Sequence, residues 1–173
     1  MSSVYLVLNA GSSSIKFQLF EAGGVDEPRR IYRGLFDGLG SSPHFVVRSQ
    51  AGEIASEMRW GEAEPFGHEK ALAHLAGWIR ENRGDYRLEA VGHRVVHGGV
   101  SFATPVLIDR HVLKELEQLV PLAPLHQPHN LAPIRILRER FPDLPQIACF
   151  DTAFHRAESG FDHRRHHCSE LDN

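Results

Sequence analysis

Between Asn9 and Lys16 the chain reads Asn-Ala-Gly-Ser-Ser-Ser-Ile-Lys, which places closely spaced backbone N–H groups, three hydroxyls and one cation within a few residues. Those are the groups that hold phosphate. The run is not a Walker A loop, in which Lys is followed directly by Ser or Thr at a helix start, because Lys16 lies inside an alternating strand pattern. Asn9 stands at the end of an apolar run, where its side-chain oxygen could reach a magnesium ion directly or through water. An ordinary polar hairpin would have the same composition, so the turn alone leaves both readings open.

Three further residues carry chemistry by type and place. Arg94 shares one side of a strand with Gly92 and Val96, while Val91, His93, Val95 and His97 occupy the other. A guanidinium among small and apolar neighbours needs an anion: either a carboxylate ligand gripped in bidentate fashion, or a local Asp or Glu. Asp151 follows the apolar stretch Ile147 to Phe150, at the carboxyl end where open α/β sheets place ligands; a helix N-cap is its alternative. His126 stands between Leu125 and Gln127 in a loop flanked by prolines, which hold the backbone while the ring faces a cleft or plain solvent. His93 and His97 read as structural or weakly site-lining.

The elements that must position these residues follow from periodicity. Val4 to Leu8 is apolar enough for a strand buried on both faces, and Ile15 to Phe20 alternates as a second strand after the polar turn. Ile31 to Phe36, Phe45 to Arg48 and Glu53 to Met58 read as three short strands of an antiparallel meander. Gly67 to Arg83 places Leu72, Leu75, Ala76 and Ile79 at helical spacing. Leu88 to Val96 is strand-like and ends in Gly98-Gly99, and Asp109 caps a helix carrying Val112, Leu113, Leu116 and Val120. A loop from Pro121 to Pro128 precedes a helix from His129 to Arg140, and Ile147 to Phe150 forms the last strand. Strands first, then strands alternating with helices, predict an α/β domain with a mixed sheet flanked by helices.

Composition bounds the function. With 173 residues and 42% hydrophobic content the chain can bury a core without staples, and its 2 Cys make a disulfide framework unnecessary. A formal net charge of -3 supplies no basic face for nucleic acid or anionic membrane, while leaving a local anion site open. No apolar run is long enough for a signal core or a span, so a reducing, cytoplasmic setting is expected.

Four stretches carry a resemblance. VYLVLNAGSSSIKFQLF, VGHRVVHGG, PLAPLHQPHNL and ACFDTAFH, in that order over residues 4 to 155, resemble the signatures of the acetate kinase family. That family belongs to the acetate and sugar kinase, Hsp70 and actin superfamily, with two related domains and nucleotide in the cleft between them. The resemblance implies a ribonuclease H-like mixed sheet, the N-terminal half of a two-domain acetate kinase fold, over residues 1–155. It implies transfer of the γ-phosphoryl of ATP to acetate, giving acetyl phosphate and ADP, with Mg2+ as cofactor. In that reading Arg94 holds the substrate carboxylate, and Val96 and Leu125 sit at positions similar to the methyl pocket. His126 steadies the phosphoryl in transfer. Asp151 corresponds to the catalytic acidic residue. Acetate is already ionised near neutral pH, so orienting Arg94 or helping to hold magnesium suits Asp151 better than a base role. Asn9 (metal), with Ser12, Ser14 and Lys16, would surround the phosphates. Propionate kinase shares nearly all these motifs, whereas the Asn-Ala-Gly-Ser-Ser-Ser opening fits butyrate kinase less well, and the GHRVVHGG and APLHQPHNL stretches favour a carboxylate over a sugar.

The resemblance stops after His155. The family runs to more than twice this length, and the remainder supplies most of the adenosine pocket, a second catalytic His and Arg, an acidic magnesium ligand and much of a homodimer interface. Residues 156–173 instead include GFDHRRHHC, read as a divergent, disordered His/Arg-rich tail. A shifted reading frame is the favoured origin, which sequencing the gene across the Phe154 codon decides. His163, His166, His167 and Cys168 are too crowded for a zinc site and read as a solvated run. A non-catalytic fragment that binds anions weakly is the rival reading, and the isolated chain is expected to be essentially inactive.

Overall fold

The computed structural model describes residues 3–22, 28–61, 66–82 and 84–151. The boundary expected at residue 155, the tail after it and its histidine cluster lie outside the described residues.

Alternation of side chains builds one eight-stranded sheet. Strands β1 (Ser3–Ala10), β2 (Ile15–Glu21), β3 (Arg29–Asp37), β4 (His44–Ser49) and β5 (Ile54–Arg59) form one antiparallel meander, in which the three expected strands β3 to β5 continue from the β1–β2 hairpin. Strands β6 (Arg87–Val95) and β8 (Gln146–Phe150) extend it in parallel from β1, and the two-residue β7 (Val106–Leu107) pairs antiparallel with β8 at the edge. The order is β5-β4-β3-β2-β1-β6-β8-β7, a mixed sheet of the ribonuclease H-like kind.

One face of this sheet is the core. Leu6, Leu8, Phe17, Leu19, Phe36, Phe45 and Val47 pack with Leu72, Leu75, Trp78 and Ile79 of α1 (His68–Asn82). A second cluster joins Val95, Ala148 and Phe150 to α2 (Arg110–Gln118) and α3 (Gln127–Arg140) through Val112, Leu116, Leu131 and Ile134. Asp109 caps α2 as expected, its Oδ1 accepting from Val112 N–H at 2.8 Å.

Three local expectations need correction. Helix α3 begins at Gln127, not His129, and it runs through Pro133. Pro128 is tolerated because the first turn has no intrahelical partner for its missing N–H, and at Pro133 burial of Leu131, Ile134 and Leu137 outweighs one lost backbone bond. Helix α2 ends at Gln118, so Val120, expected on it, lies instead in a short 3-10 turn, Val120–Leu122, that leads into the expected loop. Strand β6 ends at Val95, so Val96 belongs to the bend that follows and His97 is not part of the strand.

His93 is structural. It is 2% exposed, and its Nε2–H donates to Gln146 Oε1 at 2.8 Å while Gln146 Nε2 donates to Ile134 O at 3.3 Å. Its Nδ1 has no partner. Burial holds the ring neutral, pushing its pKa down to about 4 from 6.5. Because the unfolded chain takes up this proton first, the stability tied to neutral His93 is complete above pH 6.5 and is lost as the pH falls towards 4. The loss amounts to about 3 kcal/mol. Urea unfolding across this range should show the stability gap between the wild-type chain and His93→Gln shrinking by about that amount from pH 7 to pH 4; a gap independent of pH would refute it.

Candidate active site

Because β1, β6 and β8 run parallel, their carboxyl ends meet at one edge of the sheet, and that is where the candidate residues gather. Asn9 lies next to the end of β1, and Lys16 is its direct cross-strand partner on β2. Both lie on strand positions that alternate with the buried Leu8, Ala10, Ile15 and Phe17, so both are half-buried on the side away from the core. Arg94 lies near the end of β6, and Asp151 is the residue after β8.

Of the two readings of Arg94, an internal ion pair is present. Its Nε donates to Asp151 Oδ1 at 3.0 Å and Oδ2 at 3.2 Å. The pair is partly open to solvent, with side chains 40% and 30% exposed, so its worth lies more in geometry than in stability. The carboxylate fixes the plane of the guanidinium, whose terminal nitrogens form the fork that suits a second carboxylate.

The turn between β1 and β2 is held through its carbonyls. Ala10 O accepts from Asn130 Nδ2 at 2.7 Å, Gly11 O from His68 Nε2 at 2.7 Å, and Ser13 O from Leu39 N at 2.9 Å. Within the turn, Gly11 N–H donates to Ser14 O at 2.9 Å. A trans peptide points its C=O and the next N–H in opposite directions, so anchoring the carbonyls of Gly11 and Ser13 inward turns the N–H groups of Ser12 and Ser14 away from those anchors. Ser12 and Ser13 are exposed and Ser14 is half-buried. The arrangement suits an anion cradle of backbone donors and hydroxyls beside Lys16.

His68, Gln127 and Asn130 have no counterpart among the residues singled out from sequence. Asn130, 5% exposed, bridges two strand ends: Val96 N–H donates to its Oδ1 at 3.0 Å while its Nδ2 reaches Ala10 O. Gln127, fully buried, accepts from His97 N–H at 3.3 Å and donates to His97 O at 3.0 Å and Leu116 O at 3.4 Å. The readable signal is two amides three residues apart beside Leu131 and Ile134, which puts both on the buried side of α3. His68, at the start of α1, also stacks on His129 with centroids 5.9 Å apart.

Pairing of β6 with β8 brings Asp151 close to Arg94, and the bend after β6 packs against the end of β8. A Cβ at Gly98 would stand 2.7 Å from Phe102 O and 2.8 Å from the Phe150 ring, and Gly99 has φ +64, so both positions need glycine. His97 Nδ1 accepts from Gly99 N–H at 2.8 Å and thereby serves this bend. Val96, in the bend, is half-buried. Leu125 and His126 stand apart from these contacts. Leu125 is 77% exposed and belongs to neither core cluster, and His126 starts α3 with an exposed side chain that makes no cap bond.

Removing the anchors should loosen the turn in separable ways. Asn130→Ala leaves Val96 N–H and Ala10 O unpaired and should cost about 2 kcal/mol or more in urea unfolding. His68→Ala should leave global stability within about 1 kcal/mol of wild type while hydrogen exchange at Gly11 and Leu39, whose N–H groups are bonded to the turn carbonyls, accelerates; unchanged exchange there would show that His68 does not hold the turn.

The sequence pattern of the acetokinase family matches residues 4–160. The chain is 48% identical over 153 residues to an acetate kinase of Nitrobacter hamburgensis, covering 87% of this chain and 37% of that protein. It is 49% identical over 158 residues to one of Rhodopseudomonas palustris, covering 90% and 39%. Among solved structures, a propionate kinase from Francisella tularensis superposes with TM-score 0.76 at 34% identity, over 90% of this chain and 38% of that one. Porphyromonas gingivalis acetate kinase gives TM-score 0.76 at 31% identity, over 93% and 41%. The chain thus spans about two-fifths of the length of the relatives it matches. With the family pattern matched over residues 4–160 and the sheet superposing on solved members, the chain belongs to the acetokinase family.

Proposed function

We propose that this chain supplies the carboxylate- and phosphate-holding half of an ATP-dependent, cytoplasmic kinase acting on acetate. The single observation that carries the reading is the Arg94–Asp151 pair at 3.0 Å, set on the same sheet edge as the Asn9–Ser14 turn and Lys16. In the transfer, an acetate oxygen attacks the γ-phosphorus of ATP in line, a new P–O bond forms, and the bond to the bridging oxygen breaks to give acetyl phosphate and ADP. Arg94 grips the carboxylate, and Asp151 holds the guanidinium in place as a positioning group. Lys16 with the hydroxyls and amides of Ser12 and Ser14 neutralises phosphate charge. His126, exposed at the start of α3, donates to the phosphoryl in transfer. Val96 and Leu125 meet the acyl methyl, and an exposed Leu125 is apolar surface that substrate would cover.

The donor set here fits magnesium in a limited way. Among the described residues no group of three or more His, Cys, Asp and Glu gathers to hold a metal, so the oxygens at this edge are the Asn9 amide, the Asp151 carboxylate and serine hydroxyls. That hard, sparse set suits an ion held chiefly by nucleotide phosphates and water, which would neutralise charge on the transferring group. No helix among the described residues is long and apolar enough to cross a membrane.

The span of about two-fifths of the relatives' length favours a second statement, that the 173-residue chain alone turns over essentially nothing. Each absent donor to the transition state costs about 2–4 kcal/mol. The test joins residues 1–151 to the remaining part of the Nitrobacter acetate kinase and measures ADP release with acetate and propionate in parallel. The fusion should turn over acetate in preference to propionate, the isolated chain should not, and Arg94→Ala in the fusion should lower kcat/KM by at least about a hundredfold. A folded fusion that ignores both acids, or an Arg94→Ala fusion with full activity, would overturn the proposal.

A further inference from the structure

An open-mouthed cavity of 310 Å³ lies under the sheet, between α1 and α3. Leu72, Leu75 and Ile79 of α1, Leu88 and Val91 of β6 and Leu137 of α3 line it, and nearly all of its wall is apolar. Packed interiors leave few voids larger than a water molecule, and this volume falls at the lower end of small-ligand sites. Arg80, exposed in the last turn of α1, is the charged side chain on the cavity's lining, and Phe141, 42% exposed, stands on the wall as well. No carboxylate among the described residues pairs with Arg80. An apolar cavity with one cation on its lining is complementary to a molecule with an alkyl chain and a single anionic head.

We infer that this cavity binds a medium-chain monocarboxylate, with its alkyl chain between α1 and α3 and its carboxylate at Arg80. The site is separate from the carboxyl edge that carries Arg94, and it takes a longer acid than that edge does. Leu6 and Val91, which line it, lie on the strands that carry Asn9 and Arg94, so a bound chain touches the supports of the candidate active site.

Calorimetric titration of the full 173-residue chain with decanoate, octanoate, decanol and acetate, below micelle-forming concentrations, tests this. One saturable decanoate site is expected, with affinity rising about fourfold per methylene from octanoate to decanoate. Acetate should give no binding at this site. Arg80→Gln should weaken decanoate by up to about fivefold and leave decanol unchanged. Ala76→Phe, which places a ring in the cavity, should abolish binding of both. Methyl chemical shifts of Leu72, Leu75 and Val91 in the wild-type chain, which do not depend on that variant folding, should move with decanoate. Absence of saturable binding, equal affinity for octanoate and decanoate, shifts confined to other residues, or an Arg80→Gln effect shared by decanol would each overturn the inference.

Discussion

The side-chain amide of Asn130 ties the molecule together at the strand ends where the candidate residues gather. Neighbouring parallel strands splay at their ends because the sheet twists, and the gap between β1 and β6 would expose an unpaired carbonyl at Ala10 and an unpaired N–H at Val96. One amide carries both a donor and an acceptor, so a single buried residue satisfies the two at once. Gln127 repeats the solution for His97 and the end of α2. A buried amide bonded on both halves adds specificity because a shifted helix would leave four polar groups unpaired. The start of α3 therefore sets where the strands carrying Asn9 and Arg94 end.

From that anchor the polar and apolar halves of the domain separate cleanly. The meander is fixed by an aromatic cluster in which Phe17, Phe36, Phe45 and Trp78 meet with ring centroids 4.5 to 6.4 Å apart, so the strands that present the polar turn rest on a stiff base. Gly34 lacks a Cβ because one would overlap the Phe17 ring, and the close approach of β3 to that ring depends on it. On the opposite side of the same strands, Asn9, Lys16 and Arg94 keep their charge or amide partly in solvent, where an ionic ligand can replace water without a large desolvation cost. Asp151 braces Arg94. It spends its oxygens on the Arg94 Nε, which leaves the guanidinium at a defined angle to the sheet edge.

Most of the fold was legible in the chain. Period-two alternation in Ile15 to Phe20, the spacing of Leu72, Leu75 and Ile79, and Asp109 before an apolar helix face each report a local preference that burial reinforces. The start of α3 was not, because proline reads locally as a stop whereas the buried amides of Gln127 and Asn130 hold the first turn in place. Strand β7 was not either, since two residues carry no period and pair only because β8 offers a free edge.

The candidate site divides along the same line. The sequence by itself determined which groups are available: a polar turn with three hydroxyls and a cation at Asn9 to Lys16, an arginine that demands an anion, and an acid at a strand end, because these follow from residue type and from periodicities that act over a few residues. Only the tertiary structure decided that Asp151 is the partner of Arg94, 57 residues away in the chain, and that His68 and Asn130 hold the carbonyls of the turn. Those pairings rest on strand order and helix docking. Sequence patterns record which face a residue turns to the core, whereas the partner it meets there depends on long-range packing that no local preference encodes.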